Sequence, residues 1–531
     1  MIKNSTKKIN LLDCTFRDGG YYNNWEFNYK LINNYLKFIK KVGINFVEIG
    51  FFTLKKRNAL GITANIDKSF FNKIEIPKGI NIGIMINASE LINFGNYSDL
   101  KKRLNDIDYK KTKFIRIACH LNELSKLKKF LIYFKKKEVK IFLNLMQASE
   151  IQNKHLKYVG KNLKLFIDYF YFADSFGSLN TFSANKLLKL IKNNIKVPFG
   201  IHAHDNLKLA LKNSITSIRH GATWVDGTIY GMGRGPGNTK TEDLILNVSN
   251  NKNFKNLKIY KILKKNFDEL MNKYSWGSNK FYRYSGRNKI HPTYVQMILA
   301  DKRISQKNFL SILKNIAEHK SKKFDPNELY SATFFYKRKI NKSKKIDREF
   351  LKKFEKFIIL NSQLKDTKFN SNIEKALNDK KCLKIMINQT KNKRLERISE
   401  MNVICHPIRL MSLNKFSLKP YKKILLPLSN IPNSKNLVTN RNKVIDFPIV
   451  IKNKISINKS HVSLPEPLSL IYTICFLISS SLRKISLVGF AGYNKTDPFQ
   501  DKTQEFFSVL LQRYKHLKLI SLTKTNFNLN K

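Results

Sequence analysis

The sequence predicts an α/β protein in which a (β/α)8 TIM barrel is followed by a helical extension and a smaller C-terminal α/β domain. Short β-rich runs alternate with longer helical runs from residue 9 to about residue 228. Eight such β-rich runs occur, at a spacing of roughly 25 to 36 residues. Eight consecutive βα units are typical of a barrel of about 250 residues. A doubly wound open sheet is the alternative architecture.

The elements of the barrel follow from local patterns. One helix is predicted over residues 29–42, because Leu31, Ile32, Leu36 and Ile39 share a helical face and Gly43 can end the helix. The candidate strands span residues 9–14, 45–50, 81–86, 114–118, 139–145, 169–173, 197–201 and 223–229.

The domain boundaries follow from shifts in composition. The barrel is predicted over 8–250 and a basic helical extension over 251–345. The Lys/Asn-rich stretch 346–382 has little periodicity and is interpreted as a linker. Residues 383–531 are predicted to form a second α/β unit, with strand candidates such as CLKIMIN and ISLVGF. No nucleotide fingerprint accompanies that unit, so its role is left open.

The charge of this 531-residue chain is strongly positive, with 99 Lys and Arg against 38 Asp and Glu. Such a field favours polyanions such as nucleic acid. The excess is spread over the whole chain, however, and no recognition motif accompanies it. A general compositional bias is therefore favoured over a dedicated nucleic-acid site.

The cysteines and apolar segments indicate a cytoplasmic protein. The five cysteines are scattered without a CxxC pair, which fits a reducing compartment. The start, MIKNSTKKIN, has no apolar signal segment. The longest apolar stretch, 468–482, is shorter than the roughly 20 residues that span a bilayer, so a buried helix is expected and no membrane partner.

Polar side chains collect where the predicted strands end. A barrel places its functional residues at this C-terminal face. Several of these residues, Glu48, Arg116, Asn144, Asp174 and Ser175, are predicted to bind substrate. The complete set is Arg17, Asp18, Glu48, Arg116, His120, Asn144, Gln147, Asp174, Ser175, His202 and His204.

A metal site is predicted at this face. His202 and His204 are two residues apart on an extended segment, so both side chains point the same way. Asp18 would lie at the same mouth, and Asn238 could add a carbonyl oxygen. This mixed set of nitrogen and oxygen ligands suits Mn²⁺ or Mg²⁺, and also Zn²⁺ or Fe²⁺.

A glycine-rich loop, GMGRGPGN, follows the eighth predicted strand. Such a loop can cradle phosphate, and barrels often bind phosphate after strands 7 and 8. A tight loop that only crosses the barrel mouth is an equally good interpretation.

Together the motifs TFRDGG, IHAHDN and GMGRGPGN resemble those of the metal-dependent aldolase and Claisen-type superfamily. Its members include hydroxymethylglutaryl-CoA lyase, isopropylmalate synthase and 4-hydroxy-2-oxovalerate aldolase, and share a pyruvate carboxyltransferase-type domain. The resemblance covers roughly residues 8 to 300. The segment KYSWGSNKFYRYSGRNKIHPTYVQ is most similar to 4-hydroxy-2-oxovalerate aldolase-like proteins, some of which carry an extra C-terminal domain. The resemblance implies that Asp18, His202 and His204 bind the metal, with Asn238 as a further ligand, and that Arg17 steadies an enolate oxygen.

The chain departs from this family at Tyr21. True 4-hydroxy-2-oxovalerate aldolases resemble RDGxH, with a histidine base where this chain has a phenol. A phenol near pKa 10 is a poor base at neutral pH unless its pKa is depressed. His120 or a metal-bound water is the expected replacement, and His120 is favoured. Tyr282, Tyr284 and His291 are weaker candidates for positioning the substrate.

The expected function is that of a divalent-metal-dependent aldolase, a carbon–carbon lyase. It would act on a 2-oxo acid, with pyruvate favoured, and an aldehyde, through a metal-stabilised enolate. One alternative is an acyl-CoA-dependent Claisen enzyme, although those resemble RDGEQ. Another is a basic RNA- or surface-binding protein whose barrel has lost catalysis. A homo-oligomer is compatible with the sequence.

Overall fold

The computed structural model describes two compact units of the chain. One unit comprises residues 1–313 and 320–324, and the other comprises 314–319 and 325–531. The described residues are 8–54, 60–248, 253–301, 304, 306–318, 322–335, 346, 348–364, 369–411, 413, 420–431, 443–452, 454–482, 484–492 and 498–529.

The first unit is a closed barrel of eight parallel strands, which confirms the predicted TIM barrel. The strands are β1 Asn10–Asp13, β2 Phe46–Phe51, β3 Asn81–Asn87, β4 Thr112–Cys119, β5 Lys140–Leu145, β6 Tyr169–Asp174, β7 Phe199–Ala203 and β8 Trp224–Gly227. The sheet closes because β1 pairs with β8 as well as with β2, so the alternative of an open doubly wound sheet is wrong.

The barrel interior is layered because side chains alternate along each strand. On β4, Ile115 and Ile117 pack outward in the main core, whereas Phe114 and Arg116 point inward. The lower interior is an aromatic layer in which Phe114, Phe142 and Trp224 contact one another. The layer above it is polar. Arg116 marks the boundary, since its guanidinium lies 4.2 Å from the Tyr171 ring centroid.

The helices surround the barrel and begin at local signals. The third helix illustrates this, because Asn28 Oδ1 accepts a hydrogen bond from Leu31 N–H and Gly43, at φ +78°, follows its last turn. The helices of the first part of the chain are α1 Thr15–Asp18, α2 Gly20–Asn23, α3 Tyr29–Lys41, α4 Lys68–Phe71, α5 Ala88–Ile92, α6 Tyr97–Leu104, α7 Lys128–Lys135, α8 Asn153–Tyr158, α9 Thr181–Asn194, α10 Ala210–Arg219, α11 Thr241–Val248, α12 Lys258–Tyr274, α13 Lys280–Arg287, α14 Pro292–Ala300 and α15 Phe309–Glu318.

The strands of the second unit are β9 Lys356–Asn361, β10 Cys382–Ile387, β11 Met401–Val403, β12 Lys423–Leu426, β13 Val444–Asp446, β14 Ile449–Ile451, β15 Ser456–Ile457, β16 Val462–Leu464, β17 Lys484–Val488 and β18 Lys518–Ser521. They form a seven-stranded parallel sheet in the order β13-β12-β11-β10-β9-β17-β18, and a three-stranded sheet in the order β14-β16-β15. The helices of this unit are α16 Pro326–Phe335, α17 Ser371–Asn378, α18 Lys393–Ile398, α19 Pro407–Met411, α20 Ser469–Ser479 and α21 Pro498–Arg513.

Two predicted boundaries need correction. The predicted linker 346–382 contains β9, whose buried residues Phe357, Ile358 and Ile359 place it inside the sheet between β10 and β17. Because lysines and asparagines surround this short apolar run, the average composition of the stretch does not indicate a strand. Residues 347 and 365–368 of the predicted linker lie outside the described residues. The predicted extension 251–345 is also divided, because α16 belongs to the second unit.

No helix in the described part of the chain combines the length and the apolar character needed to cross a membrane.

Candidate active site

Two histidines at the end of β7 face the barrel mouth with fixed orientations. His202 Nδ1 lies 2.9 Å from Asp226 Oδ2, and His204 Nδ1 lies 3.1 Å from the backbone oxygen of Asp174. Each acceptor favours a proton on Nδ1, so each Nε2 faces the mouth. Burial would lower the pKa of His202, but Asp18 and Asp226 raise it above its usual value. Burial lowers the pKa of His204 to about 4, although Asp18 opposes this shift. His204 is therefore neutral at pH 7, which is the form that binds a metal.

Asp18 lies opposite these imidazoles, in the short helix α1 directly after β1. The turn is anchored by Thr15, whose hydroxyl donates to Asp13 Oδ1 and accepts from Ile229 N–H. Asp18 Oδ2 is 3.6 Å from His202 Nε2 and 3.5 Å from His204 Nε2. Burial would raise the pKa of Asp18, but Arg17 and the two imidazoles hold it well below its usual value. The carboxylate is therefore ionised.

These residues fit a divalent metal ion. The ligand atoms of Asp18, His202 and His204 all lie within 4.8 Å of one another. Asp18 Oδ2, His204 Nε2 and Asn238 Oδ1 are buried without a hydrogen-bond partner in the described structure. Ligands of one divalent ion lie roughly 3 Å apart, so a small contraction would suffice. Buried polar atoms are rarely left unpaired, and a shared cation would satisfy all three.

The glycine-rich loop brings Asn238 to this cluster. Asn238 Nδ2 lies 2.9 Å from His202 Nε2. A Cβ atom at Gly233 would lie 1.7 Å from Asn238 Oδ1 and 2.8 Å from Asp18 Oδ2. Only glycine fits there, so the loop serves as a close cover over the ligand cluster. This geometry accounts for the tight-loop interpretation, and nothing in it requires phosphate.

A buried ion-pair network lies beneath the cluster. Arg116 pairs with Glu48 at 2.9 Å and with Asp226 at 2.5 and 3.1 Å, and Arg17 Nε pairs with Glu48 at 2.5 Å. Burial would raise the pKa of Asp226, but Arg116 and His202 lower it to about 2. The network thus holds Asp226 ionised beneath His202.

Glu48 and Arg116 need a different role from the predicted one. Both side chains are 0% exposed, because their inward positions lie below the mouth. They orient Arg17 and Asp226 and are not placed to contact a substrate. Arg17 itself also pairs with Asp18 through Nη1, while its Nη2 has no hydrogen-bond partner in the described structure. That free donor fits the predicted role beside an oxyanion.

The other predicted strand-end residues differ in availability. Asn144 is 3% exposed, and its Oδ1 has no hydrogen-bond partner among the described residues. Asp174 accepts hydrogen bonds from Ser178 and Leu179 N–H, and burial raises its pKa to about 6. Ser175 Oγ accepts from Gln147 N–H. Asp174 and Ser175 therefore shape the loop after β6, and the predicted substrate contact fits Asn144 better.

The two candidate bases differ in protonation. Burial raises the pKa of Tyr21, which outweighs the nearby Arg234. The phenol therefore stays protonated at pH 7, and Tyr21 does not fit the role of base. Burial also lowers the pKa of His120, helped by Lys323 and Arg234. His120 is therefore neutral, and its buried Nδ1 has no hydrogen-bond partner in the described chain.

The candidate substrate-positioning residues in the aromatic segment after the barrel lie in different surroundings. Tyr282 is buried, and its hydroxyl lies 3.4 Å from that of Tyr22. Tyr284 lies on the same helix, α13, but lines a separate surface pocket with Lys280 and Arg287. The structure does not place Tyr284 with the ligand cluster. His291, the N-cap residue of α14, contacts Arg234 instead.

Two residues in this region were not assigned a role from the sequence. Asp226 is inside the predicted eighth strand, and alternation along that strand could have placed it inward. Arg234 is inside GMGRGPGN, where the glycines drew the interpretation toward phosphate. Its charge was the available signal.

Comparisons with known proteins show what this chain is similar to. Residues 82–266 match the model of the HMGL-like family. A 4-hydroxy-2-oxovalerate aldolase of Carboxydothermus hydrogenoformans is 26% identical over 243 residues, 45% of this chain and 70% of that protein. One from Brevibacillus brevis is 44% identical over 78 residues, 15% of this chain and only 23% of that protein. The solved N-terminal domain of a candidate aldolase from Bacteroides vulgatus is 32% identical and covers 55% of this chain and 96% of its own, with a TM-score of 0.48.

Proposed function

This chain carries an HMGL-like domain, and from that premise we propose that it is a divalent-metal-dependent aldolase acting beside a 2-oxo acid, with pyruvate as the favoured acid. One observation carries the proposal: the buried, unpartnered ligand atoms of Asp18, His204 and Asn238 lie next to Arg17, whose Nη2 is free. Mn²⁺ or Mg²⁺ held by Asp18, His202, His204 and Asn238 would supply a Lewis acid beside the 2-oxo group.

Arg17 and His120 have separate roles in the proposed reaction. Arg17 Nη2 donates a hydrogen bond to the oxygen on which negative charge develops, and its fixed position in the ion-pair network makes it a preorganised donor. In the cleavage direction the bond between C3 and C4 of a 4-hydroxy-2-oxo acid breaks, and its electron pair becomes the enolate. The proton of the 4-hydroxyl group goes to a base. We assign that role to the neutral imidazole of His120.

The test uses exchange of the pyruvate methyl protons. Purified full-length protein with MnCl₂ and pyruvate in D₂O is followed by NMR, and the methyl signal is expected to lose intensity as deuterium enters. Asp18→Asn is expected to abolish this exchange. Asp99→Asn provides the matched control, because Asp99 is an exposed carboxylate on α6. Wild-type protein that binds Mn²⁺ tightly but exchanges no deuterium would refute the proposal.

The same assay separates the alternatives. Exchange with acetyl-CoA and none with pyruvate would indicate a Claisen-type enzyme. Salt-sensitive RNA binding without either exchange would indicate a non-catalytic basic protein.

A further inference from the structure

Arg234 extends from the glycine-rich loop into the barrel mouth. Its Nη1 donates to His291 Nε2 at 3.3 Å, and its Nη2 is 3.5 Å from the backbone oxygen of Ser175. The guanidinium carbon lies 5.3 Å from the centroid of the Tyr21 ring. Its Nε is buried and has no hydrogen-bond partner in the described structure.

No counter-charge accompanies this cation. Arg17 and Arg116 each pair with two carboxylates. In the described residues no carboxylate oxygen lies within 4.0 Å of Arg234. The residues of 1–324 that lie outside the described ranges include no Asp or Glu, so they offer no carboxylate to Arg234. His291 cannot compensate either, because burial and Arg234 hold its pKa well below its usual value and keep it neutral.

The position of Arg234 relates this cation to the reaction site. The preceding residue, Gly233, packs directly against Asp18 and Asn238. The charge of Arg234 also lowers the pKa of His120 and of His204. The contacts of Arg234 with His291, Ser175 and Tyr21 place its guanidinium at the barrel mouth, beside the loop residue that covers the ligand cluster.

The free donors of Arg234 indicate what it binds. Nε–H and the second proton of each terminal nitrogen remain available, and a planar fork of this kind matches a carboxylate or a phosphate. An uncompensated cation in a partly buried site is costly, and an anionic ligand removes that cost. The carboxylate of the 2-oxo acid is the expected partner of the metal cluster, so the anion at Arg234 belongs to the other reactant.

We propose that Arg234 binds an anionic group, a carboxylate or a phosphate, on the aldehyde half of the substrate. This inference rests on the proposed aldolase function and narrows it, since the aldehyde partner is then an acidic one.

The test compares matched aldehydes as acceptors for pyruvate. Succinic semialdehyde against butanal tests a carboxylate, and glyceraldehyde 3-phosphate against glyceraldehyde tests a phosphate. Wild-type protein is expected to prefer the anionic member of one pair at least about tenfold in kcat/KM. Arg234→Gln is expected to erase that preference and Arg234→Lys to retain part of it, because lysine keeps the charge but loses the fork. Arg219→Gln is the matched control, since Arg219 is exposed on α10.

Three outcomes would overturn the inference. Wild-type protein would show no preference in either pair, or Arg234→Gln would leave the preference unchanged, or Arg234→Gln would depress pyruvate methyl exchange as strongly as the aldehyde reaction. The last result would assign Arg234 to the 2-oxo acid. Wild-type protein without methyl exchange would remove the proposed function itself, whereas exchange without anion preference would remove this inference alone.

A stability measurement separates binding from a structural role. Arg234→Gln breaks no ion pair, so the unfolding midpoint of the barrel is expected to stay close to that of wild type. A large fall in that midpoint would show that Arg234 holds the fold and would count against the inference.

Discussion

The barrel unit and the second unit differ in the number of ionisable side chains that they bury. Among the described residues, the barrel unit buries ten carboxylate, guanidinium or imidazole side chains, whereas the second unit buries one charged side chain, Lys384. The barrel set is Asp13, Arg17, Asp18, Glu48, Arg116, Asp174, His202, His204, Asp226 and Glu242.

Both units are built on parallel strands, whose carboxyl ends usually bear the site. In the second unit, the ends of β9, β10 and β17 line a cavity of about 560 Å³. Several neutral polar residues also line it, and so do His406 and the cation Arg409. Burying charge is expensive unless it is paired or used. In the described part of the second unit one buried side-chain oxygen, Asn402 Oδ1, has no hydrogen-bond partner, whereas Asp18, His204 and Asn238 bring three such atoms together at the barrel mouth. The difference indicates that this clustering has a functional cause, because the parallel sheet of the second unit forms without it.

Removal of the metal is expected to have the largest effect. EDTA should lower the rate of pyruvate exchange by about 10³-fold or more, because a Lewis acid contributes several kcal/mol to the barrier, and Mn²⁺ should restore the rate. The three tryptophans all lie in the barrel, at positions 25, 224 and 276. Their fluorescence should show a barrel unfolding midpoint that falls with EDTA. His204→Ala should remove the effect of EDTA on this unfolding midpoint. An equal fall in the unfolding midpoint of the second unit would contradict the proposal that the metal binds only in the barrel.

Breaking the ion-pair network is the next largest test. Arg116→Gln removes the guanidinium that Glu48 and Asp226 share and leaves Arg17 and His202 as their remaining partners, so the barrel should lose about 3 kcal/mol of unfolding free energy. Urea unfolding followed by tryptophan fluorescence measures this loss. Arg219→Gln, on the exposed face of α10, should change it by less than about 0.5 kcal/mol. A similar small value for Arg116→Gln would refute the view that the network is tightly coupled.

The pH dependence of turnover tests His120. The neutral imidazole is the active base, and its pKa is lowered below the usual 6.5 by burial, Lys323 and Arg234, against the opposing effect of Glu123. Aldol cleavage, which needs the unprotonated imidazole, should therefore be level above pH 6.5 and fall tenfold per pH unit below the lowered pKa. His120→Ala should lower turnover about 10²-fold and abolish this acidic limb. Full turnover in His120→Ala, with His202→Ala inactive, would exclude His120 as the base.

The smallest effect is expected in the second unit. Lys384 Nζ is 3.6 Å from Glu400 Oε2, and the Glu400 side chain is partly exposed. Glu400 also lies 3.9 Å from Lys422. Lys384→Gln therefore leaves no buried carboxylate without a cation and should cost about 1 kcal/mol. Far-UV circular dichroism, compared with tryptophan fluorescence, resolves the unfolding of this unit. A loss as large as that of Arg116→Gln would abolish the contrast between the two sheets.

Local sequence patterns determined the barrel and most of its site. Alternation along β7 placed His202 and His204 on one face, and the break after β1 placed Asp18 at the same mouth. These features depend on residues that are near neighbours in sequence, so period and turn signals reveal them. The apolar core of β9 is also local, but it is short and lies among lysines and asparagines, which concealed it.

Only the tertiary structure decided how the charges are partnered. Arg116 and Asp226 are 110 residues apart and meet because the barrel closes with a particular register between its strands. Because of that closure, Glu48 and Arg116 form a buried ion-pair network and not the predicted contacts with substrate. It also left Arg234 facing the mouth without a carboxylate. The sequence determines which charges exist and at which strand ends they lie, whereas pairing across the barrel depends on distances that only the closed sheet defines.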